Sequence, residues 1–208
     1  MNRHLAVWIE RLLFIIGVVC LGAYAFATLD ARRYQAEQTA AFAAREAAGK
    51  APAARPRPEE KPSPSSSAVM PSTELVETGT LLGMLDVPRL KLSTPVVQGD
   101  DDATLSKAVG HLPDTPLPWH EGNSAVAAHR DTLFRPLKDI AVGDEILFRT
   151  ATGDLRYRVT RTSIVNPDDV SVLDPGSRNM LTLITCYPFR YVGSAPQRFI
   201  VRATLGSG

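Results

Sequence analysis

From Leu12 to Leu29 the chain carries no charged residue: LLFIIGVVCLGAYAFATL. As a helix rising about 1.5 Å per residue, this run reaches roughly 27 Å, close to the hydrocarbon thickness of a bilayer. Trp8 before it, and Tyr24 and Tyr34 around its far end, suit the aromatic belts at membrane interfaces. Ala-x-Ala occurs at 23–25 and again at 25–27, so a cleaved signal peptide is a rival to a retained anchor. The run is longer than a usual signal core, which favours the anchor. Charge does not orient the span, because Arg3 and Arg11 before it are matched by Arg32 and Arg33 after it.

The remaining sequence divides by texture. Residues 1–11 form a short N-terminus, expected on the cytoplasmic side, and 12–29 the transmembrane anchor. Residues 30–72 begin with an Ala-, Glu-, Gln- and Arg-rich stretch expected as an exposed helix. They continue as APAARPRPEEKPSPSSSAVMPS, Ala51 to Ser72, where proline, serine and charge leave nothing to pack. Such a segment is a semi-extended spacer, and here it is expected to hold the next domain off the membrane. Residues 73–208 form the folded domain. In it, TLLGMLDV, LKLSTPVV, NSAVAAH, DEILFRT, DLRYRVTRTSIV, MLTLITC and QRFIVRATL have strand composition, and turn-forming residues separate them. Seven or eight short strands in about 130 residues predict a mostly β fold, a small closed or half-closed barrel. A short helix is expected over Asp101–Val109 and a single turn over Phe134–Asp139, and no internal repeat is visible.

Composition removes some function classes. A formal net charge of +1 argues against nucleic acid as a main partner, since phosphate binding needs a clear basic excess. There are two cysteines, Cys20 inside the apolar run and Cys186 near the C-terminus, so there is no disulfide framework. One thiol in the folded part is instead the count expected of a nucleophile.

Cys186 ends the run MLTLITC, and Tyr187-Pro188 stops regular strand pairing just beyond it. A thiol at a strand end can be both held and exposed, although most free cysteines are small buried hydrophobes. His129 ends the run SAVAAH, and imidazole is the side chain best suited to proton transfer near neutrality. It can pair with a thiol and later protonate a leaving amine; a lone strand-end histidine is otherwise more often structural. Arg198 opens the last strand. Its guanidinium is no base but donates hydrogen bonds to a developing oxyanion or to a substrate backbone. The plain alternative is a solvated arginine on an edge strand.

Together these residues resemble the sortase family. The resemblance rests on Thr-Leu-Ile-Thr-Cys at 182–186, an arginine a dozen residues later, and Ala-His-Arg-Asp-Thr at 128–132 upstream. The stretches CYPFRYVGSAPQRFIVRA and HRDTLFRPLKDIAVGDEI look like class D and related Gram-negative sortases. Ala128 departs from the glycine that often precedes the histidine in the family. The resemblance covers roughly Leu82 to Thr204. It implies a closed β-barrel of about eight strands with Cys186, His129 and Arg198 converging in one groove. It also implies a cysteine transpeptidase that cleaves an LPxTG-like signal at the C-terminus of an exported protein. A thioacyl-enzyme forms, and an amine acceptor of cell wall or protein resolves it. Thr185 is expected to shape the substrate and oxyanion site, and His111 to line the groove as a lesser site residue. The loops Asn166–Arg178 and Tyr187–Pro196 are expected to form the walls for the peptide. The resemblance implies no cofactor.

The histidines His111, His120 and His129 could in principle hold zinc, but their spacing fits no short ligand pattern, so no metal is expected. Two other readings stand beside this one. An L,D-transpeptidase-like enzyme would carry its cysteine in a Ser-His-Gly-Cys-like stretch, which is missing here. A non-catalytic, membrane-tethered binding barrel would have no reason to gather a thiol, an imidazole and a guanidinium. Papain-like proteases place their cysteine before their histidine, the reverse of the order here. Because substrates of this kind are met after export, the folded domain is expected outside the cytoplasmic membrane on a single span. Alkaline phosphatase fused after Gly208 is therefore expected to be active. An inactive fusion, with an active cytoplasmic reporter at the same position, would reverse the orientation.

Overall fold

A computed structural model describes residues 3–50, 76–175, 179–191 and 193–206. The Pro- and Ser-rich linker lies outside these residues, as do the ends of the chain, 176–178 and Val192. Among the described residues, helix α1 (Arg3–Lys50) is followed by strands β1 (Leu81–Val87), β2 (Leu92–Gln98), β3 (Val109–His111) and β4 (Asn123–Ala127). Strands β5 (Glu145–Thr150), β6 (Gly153–Val165), β7 (Met180–Tyr187) and β8 (Gln197–Leu205) complete the set. Helix α2 (Asp102–Leu105) and three 3-10 turns, Pro88–Leu90, Arg135–Asp139 and Val170–Leu173, join them. The strands close into a barrel in the order β1-β2-β3-β4-β7-β8-β6-β5. Closure leaves no free sheet edge.

The strands expected from sequence are all present, and β8 matches QRFIVRATL residue for residue. Two short elements differ. The helix expected over Asp101–Val109 covers only Asp102–Leu105, capped by Asp101, whose side chain accepts from the Thr104 N–H. The chain then enters β3, which sequence reading did not identify. A three-residue strand with a central glycine carries almost no periodic signal. That glycine is required: a Cβ on Gly110 would stand 2.1 Å from the Gly99 carbonyl oxygen.

Strand alternation divides the barrel wall into two chemistries. Leu181 and Leu183 on β7, Val126 on β4 and Val201 on β8 point inward and join one core cluster with Phe148 and Tyr157. Their neighbours in sequence, including Ile184, Cys186 and Arg198, therefore face outward. His111 pairs with the inward Val126 and shares the interior face. It is 1% exposed, with Nδ1 2.9 Å from Gln98 Oε1 and Nε2 3.0 Å from the Pro116 carbonyl oxygen. Burial pushes its pKa down, which favours the neutral ring. A neutral ring satisfies both contacts once the Gln98 amide is turned to offer its NH2 to Nδ1, leaving Nε2–H to donate to Pro116.

The stretch after the apolar run is not simply an exposed helix. α1 is continuous, and Ala31, Tyr34, Gln35, Gln38, Phe42 and Glu46 form a buried or half-buried stripe at helical spacing. Phe42 is 4% exposed and packs with Leu81, Met84, Val97 and Ala108 on the outside of the barrel. Gln35 Nε2 donates to the Lys107 carbonyl at 2.9 Å, and Lys107 Nζ lies 2.9 Å from Asp30. Arg149 reaches Glu46 at 3.8 Å and lies over the Phe42 ring. Burying a phenylalanine is worth about 1.5–3 kcal/mol, against about 0.2–1 kcal/mol for an exposed ion pair, so Phe42 is the main docking residue. The apolar window of α1 is long enough to cross a membrane, and none of it is buried in the protein.

The lowered pKa of His111 fixes a pH dependence. In slightly acidic solution the unfolded chain binds a proton at this residue that the folded chain does not. Its contribution to stability is thus complete above the ordinary histidine pKa of about 6.5 and is lost as pH falls below it. The melting temperature is expected to drop between about pH 7.5 and 5.5, and His111→Asn to flatten that drop. An unchanged slope in the variant would show that other groups control it.

Candidate active site

Cys186 lies one residue before the end of β7 and pairs directly with Arg198 on the antiparallel β8. Side chains directly opposite in such a pair share a face, with Cα atoms about 4.5–5.5 Å apart. On its other flank β7 runs parallel to β4, where Ala127 pairs with Ile184. Carried two residues further, the same register sets His129 level with Cys186. The ladder persists into this stretch: Ala128 N–H donates to the Ile184 carbonyl at 3.3 Å. The β7–β8 register thus sets thiol and guanidinium opposite each other on the outer face, and β4, on the other flank of β7, leads into His129. All three residues are half-buried.

Thr185 faces inward, 2% exposed, and its hydroxyl donates to the Ala128 carbonyl at 2.7 Å. Its hydroxyl therefore ties the end of β7 to the residue before His129. Arg198 Nη1 meets the carbonyls of Gln197 at 3.2 Å and Ala195 at 3.4 Å, both contacts within its own strand entry. His111 is not gathered with the other three. It belongs to the inner face, and both its ring nitrogens are engaged by the protein.

Two residues outside the sequence-based set organise the surroundings. Arg130 Nη2 donates to the carbonyls of Tyr191 at 2.9 Å and Gly193 at 3.3 Å, and its guanidinium lies 5.8 Å from the Tyr191 ring centroid. It fastens the β7–β8 loop to the residue following His129. Asn123 Nδ2 donates to the carbonyls of Val172 and Asp174, while its Oδ1 accepts from the Thr182 hydroxyl at 2.7 Å. Arg202 Nη2 adds a bond to the Ser171 carbonyl at 3.1 Å. Asn123, Thr182 and Arg202 all lie on the outer face, so the described part of the β6–β7 loop is fastened across it. One loop is held to the outer face through Asn123, at the end of β4 away from His129, and another through Arg130 beside His129. The only sequence signal for Arg130 was its place beside His129, and Asn123 gave none.

A thiol, an imidazole and a guanidinium at neighbouring strand ends are the groups that cysteine acyl transfer requires. Among the described residues, no group of His, Cys, Asp and Glu could hold a metal ion. A sortase-domain family model matches residues 85–206. Sortase D of Bacillus subtilis (strain 168) is 38% identical over 126 residues, covering 60% of this chain and 64% of that protein. Sortase A of Bacillus anthracis is 26% identical over 129 residues, covering 60% of each. The chain thus spans less than two thirds of these curated relatives. Among solved structures, a Clostridium perfringens Sortase D5 transpeptidase aligns with TM-score 0.59 and 26% identity, covering 65% of this chain and 85% of that one. Sortase C of Clostridium perfringens SM101 aligns with TM-score 0.57 and 28% identity, covering 64% and 73%. The chain belongs to the sortase family, a family of cysteine transpeptidases.

Thr185→Val keeps the shape of the side chain and removes the bond to Ala128. A buried carbonyl left without its donor costs about 1–3 kcal/mol. The variant is expected to melt lower and to lose about tenfold in kcat, equivalent to 1.4 kcal/mol, with little change in KM. A KM effect without a kcat effect would mean that Thr185 contacts the peptide instead of positioning His129.

Proposed function

We propose that this chain is a membrane-anchored transpeptidase in which Cys186 is the nucleophile, His129 the proton carrier and Arg198 the oxyanion donor. Its substrate is an exported protein with a C-terminal LPxTG-like signal, and its acceptor is an amine. Residues 12–29 cross the membrane, 1–11 remain inside, and the barrel works outside. The observation that supports this reading is that Cys186 stands opposite Arg198, while β4, which leads into His129, flanks β7 on its other side.

The chemistry follows from the three side chains. The Cys186 thiolate attacks the carbonyl carbon of the Thr–Gly bond, because thiolate is the competent form and a neighbouring cation favours it. A C–S bond forms and the carbonyl oxygen takes up negative charge. Arg198 donates N–H groups to that oxygen, and a fixed donor at the point where charge develops stabilises the transition state selectively. The tetrahedral species collapses with cleavage of the C–N bond, and imidazolium at His129 gives its proton to the departing amine. The thioester then meets the acceptor amine, and neutral His129 takes the amine's proton as a new C–N bond forms. Cleavage of the C–S bond returns Cys186 as thiolate beside protonated His129. Thr185 and Arg130 act as positioning residues, one on the His129 backbone and one on the loop beside it.

Cys186→Ala is expected to abolish both acyl-enzyme and cleavage, since the other cysteine, Cys20, lies in the apolar run. His129→Ala is expected to lose about 10²–10⁴-fold or more, because two proton transfers pass through it. Arg198→Lys keeps the charge but not the planar fork, and an oxyanion donor is worth about 10²–10³ in kcat. A fluorogenic LPxTG-type peptide assay, with melting curves for each variant, measures all three. Full activity in folded Cys186→Ala would remove the thiol mechanism. Full activity in folded Arg198→Lys would leave Arg198 with a role of charge alone.

A further inference from the structure

We propose that α1 is a docking arm that seats the barrel directly against the lipid headgroups, with the edge around Lys107 lowest and the catalytic row beside the arm. The inference rests on the reading of α1 as a membrane anchor. Asp30 is the first charged residue after the uncharged run, so it marks the level at which the helix leaves the hydrocarbon. Lys107 of the barrel reaches that residue at 2.9 Å, and its ammonium also lies over the ring of Tyr34. The segment just before β3 is thereby fixed at the membrane surface.

Further up, the helix crosses the strands in spatial order. Gln35 holds the Lys107 backbone; Phe42 covers Ala108, Val97, Leu81 and Met84; Arg45 Nη1 meets the Leu81 carbonyl; Glu46 faces Arg149 on β5. Going towards the membrane, the arm thus passes β5, β1, β2 and β3. The same sheet order continues to β4, which leads into His129, and to β7, which carries Cys186. Gly110 pairs with Ala127, so Ala108, in the cluster with Phe42, and His129 both adjoin the same end of the short β3–β4 ladder. The docked arm and the catalytic row are neighbours on one surface. The height of the site is then set by the docked helix and not by the length of the linker. Asp30 and Glu46 are sixteen residues apart, so the β5 end rides about 24 Å higher than Lys107 along the helix axis.

The test uses the full chain in phosphatidylcholine vesicles with acceptor dye on the headgroups. A donor dye is attached at Ser106→Cys or at Ala151→Cys in a Cys20→Ser, Cys186→Ala background. Ser106 adjoins Lys107, and Ala151 lies in the β5–β6 turn; both are exposed. Energy transfer is expected to be several-fold stronger from position 106 than from 151. Phe42→Glu, and separately Asp30→Lys, are expected to lower transfer from 106 towards the value at 151. Lys107→Glu combined with Asp30→Lys is expected to restore it. Equal transfer from the two positions in chain that floats with the vesicles would overturn the docking and leave the anchor standing. Transfer unaltered by both Phe42→Glu and Asp30→Lys would also overturn it. Failure of the chain to float would overturn the anchor and the docking together. As a check on folding, Phe42→Glu with Cys186 intact is expected to cleave a soluble sorting peptide at the unaltered rate. It is expected to cleave the same peptide more slowly when that peptide is tethered to the lipid.

Discussion

The ladder that joins β4, β7 and β8 governs everything the barrel does. It combines a parallel pairing, Ala127 with Ile184, and an antiparallel one, Cys186 with Arg198. Because side chains alternate along a strand, a slip of one residue would turn Cys186 into the core and bring Leu183 and Thr185 out. The register is therefore held as tightly as the core is. Leu181, Leu183, Val126 and Val201 are all buried without exposed area, and each fixes the facing of its strand. The hydrophobic interior thus sets chemical geometry on the opposite face of the same sheet.

That division explains the different fates of two histidines from the same part of the chain. His111 and His129 both follow short apolar stretches, and sequence alone offers little to separate them. The ladder separates them: His111 pairs with Val126 and points inward, whereas His129 lies two residues past the end of β4 and is half-buried. Inside, the ring is desolvated, driven towards neutrality and bonded at both nitrogens. Beyond the end of β4, His129 is half-buried, and its backbone carbonyl accepts from the Phe134 N–H. The parity of the outer strands is legible in a sequence with strong alternation such as MLTLITC or QRFIVRATL. It was not legible for β3, where Gly110 answers to a close backbone approach and not to a periodic pattern.

Legibility falls off with distance from the backbone pattern. The strands and the barrel follow from apolar alternation and turn residues, which are local signals, whereas Cys186, His129 and Arg198 were drawn together by the resemblance of their motifs to the sortase family. Thr185 was expected at the oxyanion site because of its place beside the cysteine, yet its hydroxyl meets the carbonyl of Ala128, a bond fixed by pairing between distant strands. Arg130 and Asn123 act in the same way, each tying a loop to a strand far away in sequence. Their contacts depend on which loop arrives above them, and a single sequence does not encode that in any periodic form. The docking stripe on α1 was hidden for a different reason. Ala31, Gln35 and Gln38 are ordinary solvated-helix residues, and Phe42 is the one large apolar side chain beside the half-polar Tyr34. One phenylalanine in an alanine-rich helix is too weak a moment to be read as a face.

The loops around the row are held through backbone carbonyls, and this limits what the site can vary. Arg130 binds the carbonyls of Tyr191 and Gly193, and Asn123 those of Val172 and Asp174. Carbonyls are common to every residue type, so side chains along both loops can change without loosening either attachment. The strands fix where the thiol, imidazole and guanidinium stand, and the attachments fix where each loop crosses the face. What remains free is the set of side chains that the loops carry above the face. Loop side chains can therefore vary while the strands below keep one geometry, the division of labour expected when a rigid scaffold carries variable loops.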